Sequence, residues 1–280
     1  MTNLHEPDLP SGIKILDNET SARLKQRYPN LPASPERGCV TCGGKKTYRW
    51  YAPNSRSEVV TYDCNCVDQW VLHRYLLASG VGVNYGRLGW LDLHDPDQAA
   101  LRFVSDYVSN AQAYFAAGVG VILSGTYGTG KTLISTLLLR ALLAQGHDGY
   151  FTTFSEMIDT YTGGWNDREE KVWFHKRVKN AGVLVLDDVG REWQGRKSSG
   201  LPEATFDEVL RHRVAASTPT IITTNLDEEG MTLGYGKAVK SLLGERSRTL
   251  RIEGEDFRPQ SRLRLDQEIS QGLTRPLVLA

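Results

Sequence analysis

The chain has no surplus of charge of either sign: 33 Lys+Arg stand against 33 Asp+Glu in 280 residues. That balance excludes a protein coated in basic charge, such as a histone-like DNA binder, and leaves local basic patches open. No apolar run approaches the roughly 20 residues of a membrane span, so no membrane partner is expected. The opening MTNLHEPDLPSGIKI lacks the apolar centre and small-residue cleavage pattern of a signal peptide, so a cytoplasmic location is expected. No internal repeat and no low-complexity tract stands out. Cysteine is scarce, and all four residues lie between Cys39 and Cys66. In a reducing compartment so tight a cluster points to metal ligands before disulfides.

What is present is an ordinary globular composition, 40% hydrophobic and 24% charged, in a length that suits one large domain with a small appendage. Residues 1–38 are polar and read as a helix around Thr20 to Tyr28 followed by a linker closed by Pro29, Pro32 and Pro35. Residues 39–75 hold the cysteines, 76–265 form the expected main domain, and 266–280 a tail. The segment 99–110 places apolar residues three and four apart, as an amphipathic helix does. Short apolar runs at 119–124, 150–154, 183–186 and 220–224 read as buried strands. They alternate with helical patterns at 132–144, from Glu156 onward with Ser155 as N-cap, and at 202–216 with Pro202 in the first turn. Strands alternating with helices predict an α/β fold with a mostly parallel sheet covered on both faces.

The chemistry begins at Gly125-Thr126-Tyr127-Gly128-Thr129-Gly130-Lys131-Thr132. This matches the phosphate-binding pattern G-x4-G-K-[ST], placed after a strand and before a helix as its mechanism requires. Glycines let the backbone wrap phosphates, and the amides and helix N-terminus aim partial positive charge at them. Lys131 would reach the β- and γ-phosphates of ATP or ADP, and Thr132 would ligate Mg²⁺ through its hydroxyl. A P-loop calls for an acid at the end of a neighbouring strand, and Val183-Leu184-Val185-Leu186-Asp187-Asp188 supplies two. Asp187 would hold Mg²⁺ through water, and Asp188 would polarise the attacking water. A third strand ends in Thr223-Thr224-Asn225, where the amide of Asn225 can hold the lytic water or touch the γ-phosphate. A turn-forming Asn is the plainer reading of that residue.

The order of these motifs resembles the AAA+ ATPases, and within them the DnaC-type helicase loaders, especially those of phages and prophages. The resemblance covers about residues 75–260 and rests on Gly128–Thr132, 186–192, Leu210-Arg211-His212-Arg213, 219–226, 235–245 and 254–258. It implies a P-loop AAA+ core and self-association into a ring or spiral, with one subunit's arginine completing its neighbour's site. Arg246 is the first candidate for that arginine, Arg248 the second, and Arg251 a further one. Arg258 resembles the arginine that contacts nucleotide within its own chain. Asp188 departs from the Glu common in this class. The shorter acid predicts weak ATP hydrolysis, used as a switch.

Two further features lie outside the P-loop core. Cys39-Val40-Thr41-Cys42-Gly43-Gly44 is a metal knuckle, and Cys64-Asn65-Cys66 a second, tighter pair. Four thiolates suit a closed tetrahedral Zn²⁺ site on a zinc-ribbon-like hairpin whose folding energy the metal supplies. Free buried thiols or an iron–sulfur cluster are the alternatives. Before the 183–186 strand, residues 171–179 mix basic and aromatic side chains with no acid. Trp173, Phe174, Lys176, Arg177 and Lys179 could stack bases and neutralise phosphates of single-stranded DNA, with Tyr161 and Trp165 upstream contributing. The same segment also reads as a core helix that turns Val172, Trp173 and Val178 inward. The resemblance thus implies an ATP-dependent loader that delivers a hexameric replicative DNA helicase onto single-stranded DNA. The alternatives are a transposition helper ATPase of the IstB type acting on duplex DNA, and a P-loop kinase or chaperone-like ATPase.

Overall fold

The computed structural model describes residues 18–29, 39–52, 55, 57–93, 98–190 and 200–276. Pro32, Pro35, Arg191 and Glu192, part of the linker and motif readings, lie outside the described residues. The chain divides into two compact units. One is drawn from Met1–His94, Ala144–Gly146 and Arg258–Ala280, the other from Asp95–Leu143 and His147–Phe257.

The larger unit is built on a five-stranded parallel sheet: β3 (Gly120–Gly125), β4 (Gly149–Thr153), β5 (Val183–Val189), β6 (Thr220–Thr224) and β7 (Ser247–Ile252), in the spatial order β4-β5-β6-β3-β7. Its helices are α3 (Gln98–Ser109), α4 (Ala111–Ala117), α5 (Lys131–Ala144), α6 (Phe154–Gly163), α7 (Arg168–Phe174), α8 (Leu201–Ala215) and α9 (Glu228–Arg246). Continuous apolar runs make strands buried on both faces: Val183, Leu184, Val185 and Leu186 are fully buried, as are Ile221 and Ile222. Leu184, Leu186 and Ile222 join Phe154, Met157, Phe206 and Val209 in one core. The expected α/β architecture is therefore the observed one.

Three local departures matter. The helix expected to be capped by Ser155 starts earlier. Thr153 accepts the Glu156 N–H at 3.2 Å while the Glu156 carboxylate reaches back to the Thr153 N–H at 3.5 Å, a reciprocal box that leaves Ser155 inside the helix. Next, β5 runs on through both acids with a bulge. Leu186 pairs with Ile222 and Val189 with Thr224, three residues against two. The surplus residue is accommodated at Asp188, with a left-handed φ of 58°. Finally, β7 is an edge strand that the apolar pattern does not announce. Arg248 and Arg251 interrupt it, and among the described residues it pairs with β3 alone.

The smaller unit contains α1 (Asn18–Arg27), a hairpin of β1 (Thr47–Tyr51) and β2 (Val59–Asp63), α2 (Cys66–Ala78) and α10 (Arg258–Ser270). Its strands pair antiparallel, with Thr47 opposite Asp63 and Tyr51 opposite Val59. An ionic cluster ties its two sequence ends together. Asp92 takes Arg264 at 2.6 Å and Arg275 at 2.7 Å, and Glu268 takes both arginines as well. Arg87 donates to the Arg275 carbonyl and lies 3.5 Å from the Thr41 hydroxyl, while Tyr51 reaches Gln271 at 3.5 Å.

Candidate functional site

β5, β6 and β3 are adjacent, so their C-terminal ends bring Asp187, Asn225 and the P-loop to one rim of the sheet. This is where open parallel sheets bind ligands. The loop leaves β3 at Gly125, where an added Cβ would lie 2.1 Å from the Ile252 carbonyl oxygen of β7. Only glycine fits so close to a neighbouring strand. At Gly128 the φ is 75°, and a Cβ would overlap the Asp256 carboxylate at 1.9 Å. The Gly128 carbonyl accepts the Phe257 N–H at 3.1 Å. Thr129 is buried and donates to the Thr126 carbonyl at 3.0 Å, while Thr126 and Tyr127 are exposed at the loop tip. Gly130 precedes α5, whose first two residues are Lys131 and Thr132.

Lys131 is buried and folded onto its own loop, donating to the carbonyls of Gly125 at 3.0 Å and Thr126 at 2.5 Å. Thr132 donates to one oxygen of Asp187 at 3.1 Å, and Thr223 to the other at 2.6 Å. Two hydroxyl donors on a buried carboxylate favour its charged form. Burial nevertheless pushes the Asp187 carboxyl up to about 6, the Asp188 charge adding to the rise. The hydroxyls and Lys131 pull it back. The oxygen of Thr132 beside that of Asp187 forms a hard-donor set that fits Mg²⁺, which would itself keep Asp187 ionised. Asp188 is half-buried on the bulge, and its N–H is held by the Thr223 hydroxyl at 3.0 Å. Asn225 follows β6, half-buried at the same rim.

Arg246 and Arg248, two of the candidate arginines, are bonded elsewhere. Arg248 pairs in register with Val121 and Ile252 with Gly125. Arg248 therefore lies about 13 Å along the strand from the P-loop end. It bonds the Tyr114 hydroxyl at 2.6 Å and lies over the Phe103 ring at 5.2 Å. Arg246 ends α9, pairs with Glu245 at 3.1 Å and is 3.5 Å from the Ala117 carbonyl. Arg251 pairs with Glu253 at 3.1 Å. Arg258 opens α10 in the smaller unit and is exposed.

A family model described as IstB-like ATP binding protein matches residues 92–264, the whole span of the sheet and its rim. The chain belongs to this IstB-like ATP-binding family. One curated relative is an ATP-binding protein in an insertion sequence of Mycobacterium tuberculosis. It is 27% identical over 174 residues, covering 59% of this chain and 62% of the relative. Another is the ATP-dependent zinc metalloprotease FtsH 2 of Sphaerobacter thermophilus, 25% identical over 50% of this chain and 24% of the relative. The chain thus spans less than two thirds of either curated relative. Among solved structures, that of the DnaC helicase loader is 26% identical at a TM-score of 0.52, covering 61% of this chain and 100% of that one. The DnaI structure, 19% identical at a TM-score of 0.51, shares the fold. The P-loop AAA+ core expected from the sequence is the fold of this IstB-like chain.

The matched span leaves out the cysteines. Cys39, Cys42, Cys64 and Cys66 bring their Sγ atoms within 4.8 Å of one another. The Cys39–Cys64 separation is 3.7 Å and Cys42–Cys66 is 3.3 Å. Tetrahedral ligation at the usual Zn–S length sets sulfurs about 3.8 Å apart, so the cluster fits the ion with small adjustments. The knuckle comes from local geometry: Gly43 donates to the Cys39 carbonyl at 2.7 Å, and the Cys42 N–H faces the Cys39 sulfur at 3.4 Å. Burial and the neighbouring thiols push Cys64 far above the ordinary thiol range. Burial also raises Cys42, yet hydrogen bonds from Cys66 and from the Lys46 and Gly44 backbone outweigh it and bring that thiol down to about 7.

The basic segment 171–179 is only partly the surface the sequence suggests. After α7 the chain makes a π-type turn over His175–Lys179. Phe174 and Val178 are buried, and Val172 is exposed, the reverse of the inward role expected for it. Lys179 is buried and ion-paired with Glu208. Arg177 lies over the rings of Tyr150 at 5.0 Å and Trp173 at 5.4 Å, and 3.8 Å from Asp148. Phe174 and Lys179 are thus largely drawn into the core, yet both still line the cavity beside this segment. Arg177 and Trp173 are half-buried against each other, and Lys176 is half-buried too. That cavity is open, about 720 Å³, and lined by Tyr161, Trp165, Lys171, Phe174, His175, Lys179 and Glu208 among others. His175 is held below its usual range by burial and then by the charges of Lys179 and Lys171.

Proposed function

We propose that this chain is an ATP-switched, AAA+-type loader that grips a hexameric replicative DNA helicase and passes it to single-stranded DNA in the cytoplasm. The observation that carries this reading is the likeness to the DnaC loader structure, which the chain spans completely at 26% identity. Hydrolysis follows from the rim. Water oriented by Asn225 attacks the γ-phosphorus and gives its proton to the Asp188 carboxylate, the bond to the ADP oxygen breaks, and ADP and phosphate leave. Lys131 would leave the carbonyls of Gly125 and Thr126 for the β- and γ-phosphates. Mg²⁺, held by Thr132 and Asp187, would supply charge neutralisation at the phosphates. Its distance from the loop along β7 leaves Arg248, with Arg246, a role on a neighbouring subunit's nucleotide, within a ring or spiral. Zn²⁺ held by the four cysteines would make the β1–β2 hairpin a rigid element for gripping the helicase. The cavity bearing Trp165 and Lys171 supplies an aromatic platform and positive charge for single-stranded DNA.

A second reading is a transposition helper acting on duplex DNA. The family description and the mycobacterial insertion-sequence relative favour it. Mass photometry of the chain with a replicative helicase, in ATP and in ADP, separates the two. A complex that forms with ATP and loosens with ADP is expected. No complex in either state, with self-assembly on duplex DNA, would overturn the loader reading and leave the helper.

A further inference from the structure

Thr223 is 1% exposed on the strand next to the two acids, in the middle of the sheet. Its hydroxyl makes two bonds whose directions are fixed by elementary donor counting. The Asp188 N–H can only donate, so at 3.0 Å the Thr223 oxygen is its acceptor. The single hydroxyl hydrogen is then left for Asp187, at 2.6 Å. The result is a one-way chain: Asp188 N–H to Thr223 Oγ1, Thr223 O–H to Asp187 Oδ1. It starts at the bulged residue, whose left-handed backbone needs its surroundings to hold it. It ends at the carboxylate that, with Thr132, forms the hard-donor set. The next residue repeats the device. Thr224 donates to the Val189 carbonyl at 2.7 Å and accepts the Leu226 N–H at 3.0 Å, pinning the far side of the bulge.

We infer that Thr223 is a positioning residue for ATP hydrolysis: it locks the bulge that presents Asp188 and fixes the oxygen of Asp187 that Thr132 does not hold. The inference rests on the ATPase reading above, and it concerns neither phosphate contact nor fold. Thr223→Val keeps the shape of the side chain and removes both bonds, and Thr223→Ser keeps both bonds.

The test measures binding of a fluorescent ATP in EDTA and in Mg²⁺, steady-state hydrolysis, and backbone hydrogen exchange across 186–190. Thr223→Val is expected to bind ATP in EDTA like the parent and to raise KM by no more than the gain in ATP affinity that Mg²⁺ gives the parent. It should lose kcat by roughly ten- to hundredfold, the value of a hydrogen bond to a charged group, and lose exchange protection at Asp188. Thr223→Ser should restore both. Unchanged kcat and protection in Thr223→Val would overturn the inference. So would an equal loss of ATP binding in EDTA, which would mark a purely structural side chain. If the parent hydrolyses no faster than Lys131→Ala, the ATPase reading is what fails. The positioning of Asp187 is then read from the gain in ATP affinity on adding Mg²⁺. Thr223→Val should lose that gain, and retaining it would overturn the inference.

Discussion

Arg213 is fully buried on α8 and, among the described residues, has no acid bonded to it. Its guanidinium donates to five acceptors: the carbonyls of Val178 at 3.1 Å, Lys179 at 3.2 Å, Ala181 at 2.8 Å and Pro219 at 2.7 Å, and the Thr220 hydroxyl at 2.9 Å. Burial lowers its pKa to about 9, so the side chain is still a cation at neutral pH. One side chain therefore closes the π-type turn and fixes the starts of β5 and β6. Arg213→Met fills much of the same volume and takes the guanidinium from four carbonyls and a hydroxyl, of which the Pro219 carbonyl keeps the Leu184 N–H at 3.3 Å. Each buried orphan costs about 1–3 kcal/mol, less than additively when several share a site. Truncating a buried charged anchor costs about 3–5 kcal/mol. At roughly 2–4 °C per kcal/mol, melting of the sheet-bearing unit should fall by roughly 6–20 °C. Differential scanning calorimetry of the parent protein, Arg213→Met and Arg213→Lys reads this directly. The lysine variant should fall between the other two, because an ammonium cannot span five acceptors. A Tm for Arg213→Met within about 3 °C of the parent would refute the reasoning, since the carbonyls would then have found other partners.

Two shorter predictions concern the other sites. Chelation, or Cys42→Ser, should release one zinc per four-cysteine cluster and abolish the β1–β2 hairpin signal in NMR spectra. The five-stranded sheet, with its own core, should melt as before; zinc absent from the purified chain by mass spectrometry under reducing conditions would count against the site. In the cavity, Trp165→Ala should weaken single-stranded DNA binding by roughly five- to a hundredfold, and Lys171→Ala should reduce the salt slope by about 0.7. Lys179→Ala should instead lower stability with the slope unchanged, and the opposite pattern in filter binding would restore the segment first read from the sequence.

The P-loop, the Asp187 strand end and four of the five strands of the sheet were legible because each is a local pattern: a glycine spacing, or an apolar run closed by a polar residue. The edge strand β7 was not, because Arg248 and Arg251 break the apolar run and only its pairing with β3 makes it a strand. The bulge at Asp188 depends on Thr223, thirty-five residues away, and nothing next to Asp188 announces it. The basic segment failed for a reason of phase. A π-type turn carries one more residue than an α turn, so both Val178 and Lys179 follow Phe174 into the interior. Helical spacing alone would have left Lys179 outside.

The cluster of Asp92, Glu268, Arg264 and Arg275 has a consequence for how the chain is made. The cysteine hairpin is synthesised early, yet its unit is closed by bonds from Tyr51 to Gln271 and from Arg87 to Arg275. A ribosome releases the whole of the parallel sheet before Gln271 and Arg275 emerge. The hairpin is therefore made well before Gln271, which follows Tyr51 by 220 residues. Capture of metal in that interval would keep four neighbouring thiols from reacting with anything else.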